Sequence, residues 1–200
     1  MERGYVEMKL CFSLETIPGT NLTLQDTDGL TGYQFLRHLF FATEGVMIST
    51  IRGISGIDTS TLQNWVKRGW VPKSNQRKYN LEQVAHILTI NMLRSCMQLE
   101  HIDFIIRYIN GDLEDTSDDI IRDSQLYDYI CGILTEMERE SSCDVKTVER
   151  IVSQVTATYV PPVPDARERL TRALNVIILT YLAAQVKEYA DNLLARMDRP

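Results

Sequence analysis

The sequence predicts a mainly α protein, with a helix-turn-helix head carrying a basic, wing-like loop and an all-helical C-terminal body. Three observations predict it. Beyond Thr31, apolar residues recur at helical spacing through most of the chain. Within residues 48–79, two short segments of this kind are divided by Gly56, Ile57 and Asp58, a break followed by a residue suited to cap a new helix. The charge is also segregated. Residues 46–80 hold six bases against one acid, a net +5, while residues 1–45 carry −3 and residues 81–200 carry −8, in a chain of net −6. A basic head on an acidic body can meet a phosphate backbone with one face while repulsion from the body orients it.

In the head, the Asp58 carboxylate is placed to accept from the free amide of Ser60 or Thr61, so a helix starts at Thr59. Leu62, Trp65 and Val66 fall on one side of that helix, and Ser60, Gln63, Asn64 and Lys67 on the other. Gly69 ends the helix and Pro72 forbids its resumption. Lys73, Arg77 and Lys78 follow in a loop without an acid, closed by Tyr79 as an anchor. Such a helix beside a basic loop suits the major groove of double-stranded DNA. Ser60, Gln63 and Asn64 would read base edges there, and Lys67, Arg68, Lys73, Arg77 and Lys78 would hold phosphates.

Gly56, Asp58, Thr61, Leu62, Trp65, Gly69 and Pro72 together give this stretch a cadence that resembles the winged helix-turn-helix of the MerR family of bacterial transcription regulators. Arg77 and Tyr79 are similar to the close of that family's wing. The residues from Ile57 to Trp65 and from Arg77 to Asn80 look closer still to uncharacterised Gram-positive bacterial proteins, catalogued as a domain of unknown function, that carry a MerR-like head. The resemblance covers roughly a third of the chain and implies a DNA-binding regulator. Asn64 and Gln63 stand where the MerR reading helix has Tyr and Arg, and Arg52 stands where a small residue is expected, so the family's sequence preference does not carry over.

Outside the head, residues 1–29 read as an extended or loosely helical arm with Leu10, Phe12, Leu14 and Ile17 packing on the body. Residues 31–42 form an amphipathic helix with Tyr33, Leu36, Leu39 and Phe40 on its buried face and His38 beside it. Two helices follow the head, over residues 81–98 and 99–110, with Glu82 favoured in the first turn of one and Gly111 ending the other. His86 and His101 read as surface or partner-facing residues of that pair. The acid-rich run 111–119 lacks a calcium-hand pattern and reads as a solvated hinge, with Thr116 or Ser117 capping the next helix. Helices over 120–138 and 145–156 precede the Pro-rich break 159–164. Asp165 then caps a long helix over 166–197, apolar at Leu170, Leu174, Ile177, Tyr181 and Val186. That helix is nearly apolar all round at residues 176–184, so it is either central to the body or packed on a second copy. The domain division that follows is an arm at 1–29, a head at 30–110 and a body at 111–200 for dimerisation or an effector.

Composition narrows the function classes. The longest apolar stretch, 176–184, is too short to span a bilayer, and no charged-then-apolar leader opens the chain, so a soluble, cytoplasmic protein is expected. Cys11, Cys96, Cys131 and Cys143 have neither zinc-site nor disulfide-framework spacing and read as small apolar groups. With no catalytic constellation and no phosphate-cradling Gly loop, neither an enzyme nor a cofactor is expected. The partners expected are double-stranded DNA, a second copy of the chain, and a small-molecule or protein effector. The alternative is a protein-interaction adaptor whose winged head no longer binds DNA.

Overall fold

A computed structural model describes residues 14–113, 115 and 117–197. Leu10, Phe12, Cys11 and the candidate cap Thr116 therefore lie outside the described residues. The described chain runs α1 (Gly32–Leu39), β1 (Val46–Met47), α2 (Ile48–Ser55), α3 (Thr59–Lys67), β2 (Lys78–Tyr79), α4 (Leu81–Leu93), α5 (Leu99–Asn110), α6 (Asp123–Glu140), α7 (Val145–Ala157) and α8 (Ala166–Ala195). The two strands pair antiparallel, with Val46 opposite Tyr79 and Met47 opposite Lys78.

The arm opens with a tight turn. Thr20 N–H donates to the Ile17 carbonyl across Pro18-Gly19, and Gly19 has a φ of +76°. Pro before Gly suits this geometry, since the second central residue of such a turn must be left-handed. A Cβ at Gly19 would lie 2.2 Å from the Leu88 carbonyl oxygen, so the backbone there meets α4 directly. Leu14 and Ile17 are buried, and the Tyr127 hydroxyl donates to the Pro18 carbonyl at 2.7 Å. Asn91 on α4 donates to both the Gly19 and Ser55 carbonyls, tying the arm to the end of α2.

α4 lies at the centre. An Asn80–Gln83 capping box starts it, and every residue from Val84 to Ile90 is buried. A helix apolar all round must be surrounded, and α1, α2, α5, α6 and α8 pack against it. Buried side chains from Leu14 to Leu182 form one cluster, and it runs across the boundary expected at residue 110. The α5 stripe Ile102, Ile105, Ile106 and Ile109 and the α6 stripe Tyr127, Ile130, Leu134 and Met137 are buried as the periodicity predicts. α8 is buried on one side as far as Ala184 and exposed beyond it, so Val186 leaves the predicted stripe. The break at 159–164 is a turn between packed helices α7 and α8, anchored by the buried Tyr159, whose hydroxyl donates to the Ile120 carbonyl.

Four local expectations are corrected. α1 buries Phe35 and Leu36 while Tyr33 is exposed, because Asp128 on α6 accepts from Tyr33 N–H at 2.8 Å and fixes the rotation of the helix. α6 is not capped by Ser117. It starts at Asp123, where Glu82 of α4 accepts from the Ser124 amide and hydroxyl at 2.8 and 2.9 Å. Asp165 occupies the N-cap of α8 without a side-chain capping bond, its carboxylate lying 3.9 Å from Arg169. Cys96 is exposed rather than packed, whereas Cys131 is buried, which pushes its thiol up to about 12. Among the described residues, no helix is long and apolar enough to cross a membrane.

Candidate functional site

α3 is defined at both ends by residues local to it. The Asp58 carboxylate accepts from Thr61 N–H at 2.8 Å and from the Ser60 and Thr61 hydroxyls, as an N-cap should. Those hydroxyl bonds, with the Thr61 amide, hold the carboxyl well below the usual carboxylate range. At the far end Gly69, with φ +74°, donates to the Val66 carbonyl, and Trp70 N–H reaches back to the Trp65 carbonyl at 3.0 Å. This pair of bonds is the Schellman arrangement, which a left-handed residue such as Gly makes possible. Leu62 and Trp65 are buried and fix the inner face, with Val66 half-buried beside them.

The outer face of α3 faces solvent. Ser60, Gln63, Asn64, Lys67 and Arg68 are all exposed, as are Lys73, Arg77 and Lys78 beyond it. These eight residues differ in how free they are. The Ser60 hydroxyl proton goes to Asp58, which leaves its oxygen to act as an acceptor. Arg68 lies 3.7 Å from Glu100 and stacks over Trp70 at 5.0 Å. Lys67, Lys73, Arg77 and Lys78 carry no ion pair among the described residues.

Behind the outer face, α4 and α5 grip the segment leaving α3. Arg107 on α5 donates to the Gly69 carbonyl at 3.1 Å while bound to Asp103. His86 Nε2 lies 2.8 Å from the Trp70 carbonyl oxygen, and Gln83 Nε2 donates to the Lys73 carbonyl at 2.8 Å. The chain then makes a two-residue turn in which Asn75 and Lys78 exchange backbone bonds at 2.9 and 2.8 Å. Gln76 and Arg77, the central pair, are both left-handed, with φ of 48° and 65°. That is the primed turn of a tight hairpin, usually made with Asn and Gly. It projects Arg77 at the tip, while Tyr79 is buried as the anchor.

Two features of the site were missed in the sequence. Arg94, the C-cap of α4, lies over the Trp65 ring at 5.7 Å, an exposed cation placed beside α3 by a contact 29 residues distant in sequence. His86, expected to face solvent or a partner, is buried and spans Trp70 and Asp123. A cleft of about 1210 Å³ opens beside α3, walled by Gly56, Asn64, Arg68, Arg94 and Glu188 among others. His38 and His101 are exposed, and among the described residues no group of three or more His, Cys, Asp or Glu is placed to hold a metal ion.

All eight candidate residues, and the contacts that grip them from behind, fall within one stretch that is shared with other proteins. Residues 42–130 match the family model of DUF1836, a domain of unknown function. The DUF1836 match runs from the loop after α1 into α6, so it contains both Glu82–Ser124 and His86–Asp123. The chain is also similar to the "Uncharacterized protein YkrK" of Bacillus subtilis (strain 168), with 25% identity over 119 residues. That alignment covers 56% of this chain and 51% of the relative, so the chain spans about half the length of the curated relative it matches. No solved structure matches.

Proposed function

We propose that the chain is a DNA-binding transcription regulator whose head, MerR-like in plan, reads a palindromic site in double-stranded DNA. The observation that carries this reading is the polar, exposed face of a short helix whose inner face and both ends are fixed, within a segment of net +5. Gln63 and Asn64 would hydrogen-bond base edges, with Ser60 accepting, in the major groove. Lys67, Arg68, Lys73, Arg77 and Lys78 would contact phosphates, and two copies would place two heads on two half-sites.

Selection of bound fragments from a random duplex library, followed by sequencing, tests the reading, and an enriched inverted repeat is the expected result. On that duplex, Arg77→Ala and Lys78→Ala should each lower the log–log salt slope of binding by about 0.9, the contribution of one phosphate contact. An association with no salt dependence overturns the proposal.

One observation favours a second reading, that of a protein-interaction adaptor. Asn64 and Arg68 also wall the cleft, and Arg68 is paired to Glu100, so part of the exposed α3 face borders a concave surface that a protein segment could enter. A partner that stays bound after nuclease treatment, with no enriched duplex, selects that reading.

A further inference from the structure

His86 is a buried titratable group that the proposed function does not use. It sits in the middle of α4, 1% exposed, and each ring nitrogen faces an oxygen. Nε2 is 2.8 Å from the Trp70 carbonyl, and Nδ1 is 3.2 Å from a carboxylate oxygen of Asp123 at the first position of α6. Both oxygens are acceptors. A neutral imidazole has one N–H, so it satisfies one of them and turns a lone pair toward the other. Only the imidazolium donates to both.

We propose that His86 is a positioning residue that works as a proton-dependent clamp. As an imidazolium it ties the segment after α3 to the start of α6, and on losing its proton it keeps its one N–H on the charged acceptor, Asp123, and lets go of the Trp70 carbonyl. The clamp stands on this geometry alone, while its effect on DNA affinity rests on the function proposed above.

The charged surroundings favour the doubly donating form. α6 supplies Asp123, and α5 supplies Asp103 with its partner Arg107. Its own helix supplies Glu82, which is engaged by Ser124, and the acidic loop supplies Asp119 close to Asp123. The segment after α3 supplies the Trp70 carbonyl, with Arg68 stacked over that residue's indole. Burial pulls the imidazole down, but Asp123, the Trp70 carbonyl and Asp103 outweigh it and hold His86 above its ordinary 6.5. A group raised in the folded state contributes its full stability below the unfolded value and loses it as the pH rises through the folded value. The window therefore opens above 6.5 and extends upward.

The clamp acts where the proposed reading helix is finished. Trp70 N–H closes the Schellman bond to Trp65, and its carbonyl is the atom His86 holds. Releasing it loosens the exit of α3 and the segment that leads to Lys73 and the hairpin.

Nitrogen-15 NMR of the full chain, labelled at histidine, tests the clamp directly. At about pH 6 both His86 nitrogens should carry protons, and the titration midpoint should lie above the ordinary value. Asp123→Asn replaces the acceptor with a side chain that can donate to a neutral ring, so the midpoint should fall and the ring should become singly protonated. Hydrogen exchange at the Trp70 amide, corrected for its intrinsic pH dependence, should accelerate through the wild-type midpoint and lose that step in the variant. If Asp123→Asn does not fold, His86→Gln serves, with the Trp70 exchange step again expected to vanish. A singly protonated ring in the wild type at about pH 6, or a midpoint unmoved by Asp123→Asn, overturns the clamp. On the selected duplex, wild-type affinity should fall as the pH rises through the midpoint. With no duplex selected, the function proposed above fails while the NMR result still decides the clamp.

Discussion

Asp119 shows how a single carboxyl can register the crowding of a whole loop. It is half-buried at the end of the acidic run, with Asp123, Asp118, Asp115 and Glu82 around it. Burial first, and then the fields of those acids, push its carboxyl up to about 6. The folded value lies above the unfolded 3.8, so stability is lost as the pH rises from 3.8 through about 6. Asp119→Asn should therefore raise the urea midpoint at about pH 7.5, with the gain shrinking toward zero as the pH falls below the unfolded value. An equal gain at both ends of that range would mean that charge is not the cause. His86, which also faces Asp123, was not legible in the sequence because its partners stand 16 and 37 residues away. Its spacing on α4 shows only a polar residue in a helical pattern, and the acceptors that define its role come from α6 and from the exit of α3.

At the scale of the element, α3 was the most legible part of the chain because its start, stop and inner face are encoded locally. Asp58, Gly69, Leu62 and Trp65 each act within a few residues of where they stand. The same holds for α5, whose isoleucine stripe and terminal Gly111 required no distant partner. At two of the places where expectation and structure differ, a distant side chain decided the matter: Asp128 for the face of α1, and Glu82 for the start of α6. Trp65 is the larger of the two buried side chains, with Leu62, through which α3 joins the core, and its truncation should cost about 3–5 kcal/mol. Gln63→Ala, on the exposed face, should stay within about 0.5 kcal/mol of wild type in the same urea titration. A small loss at Trp65 would show that the helix is held by Leu62 and by its ends instead. The hairpin carries a related signal, since Gln76 and Arg77 both occupy left-handed backbone that costs roughly 1–2 kcal/mol per ordinary residue. Holding an arginine at the tip against that cost fits the proposed phosphate contact.

At the scale of the molecule, continuity of the core and the departure of α8 from it are linked. The buried cluster runs from Leu14 to Leu182, so the inner face of the proposed reading helix belongs to a core that is continuous through both halves of the chain. α8 is long enough to outrun that core, and its last three turns are exposed. Val186, Tyr189 and Leu193 recur there at i, i+3 and i+7 with Leu194 beside them, all 46–67% exposed. In the proposed regulator this stripe would pack against its counterpart in a second copy, a pairing that needs a self-complementary face. Lys187 and Asp191 are already joined to each other at 2.6 Å along the helix, so that pair asks no partner from a second chain. Sedimentation equilibrium should then give twice the 23.0 kDa chain mass, with a dissociation that depends on concentration. Leu193→Glu introduces a charge into the stripe without touching the buried cluster, which ends before it. It should shift the protein to monomer while leaving the helical circular dichroism and the urea midpoint of the monomer unchanged. A wild type that stays at 23.0 kDa across the concentration range would remove the second copy from the proposal and leave one head to bind one half-site.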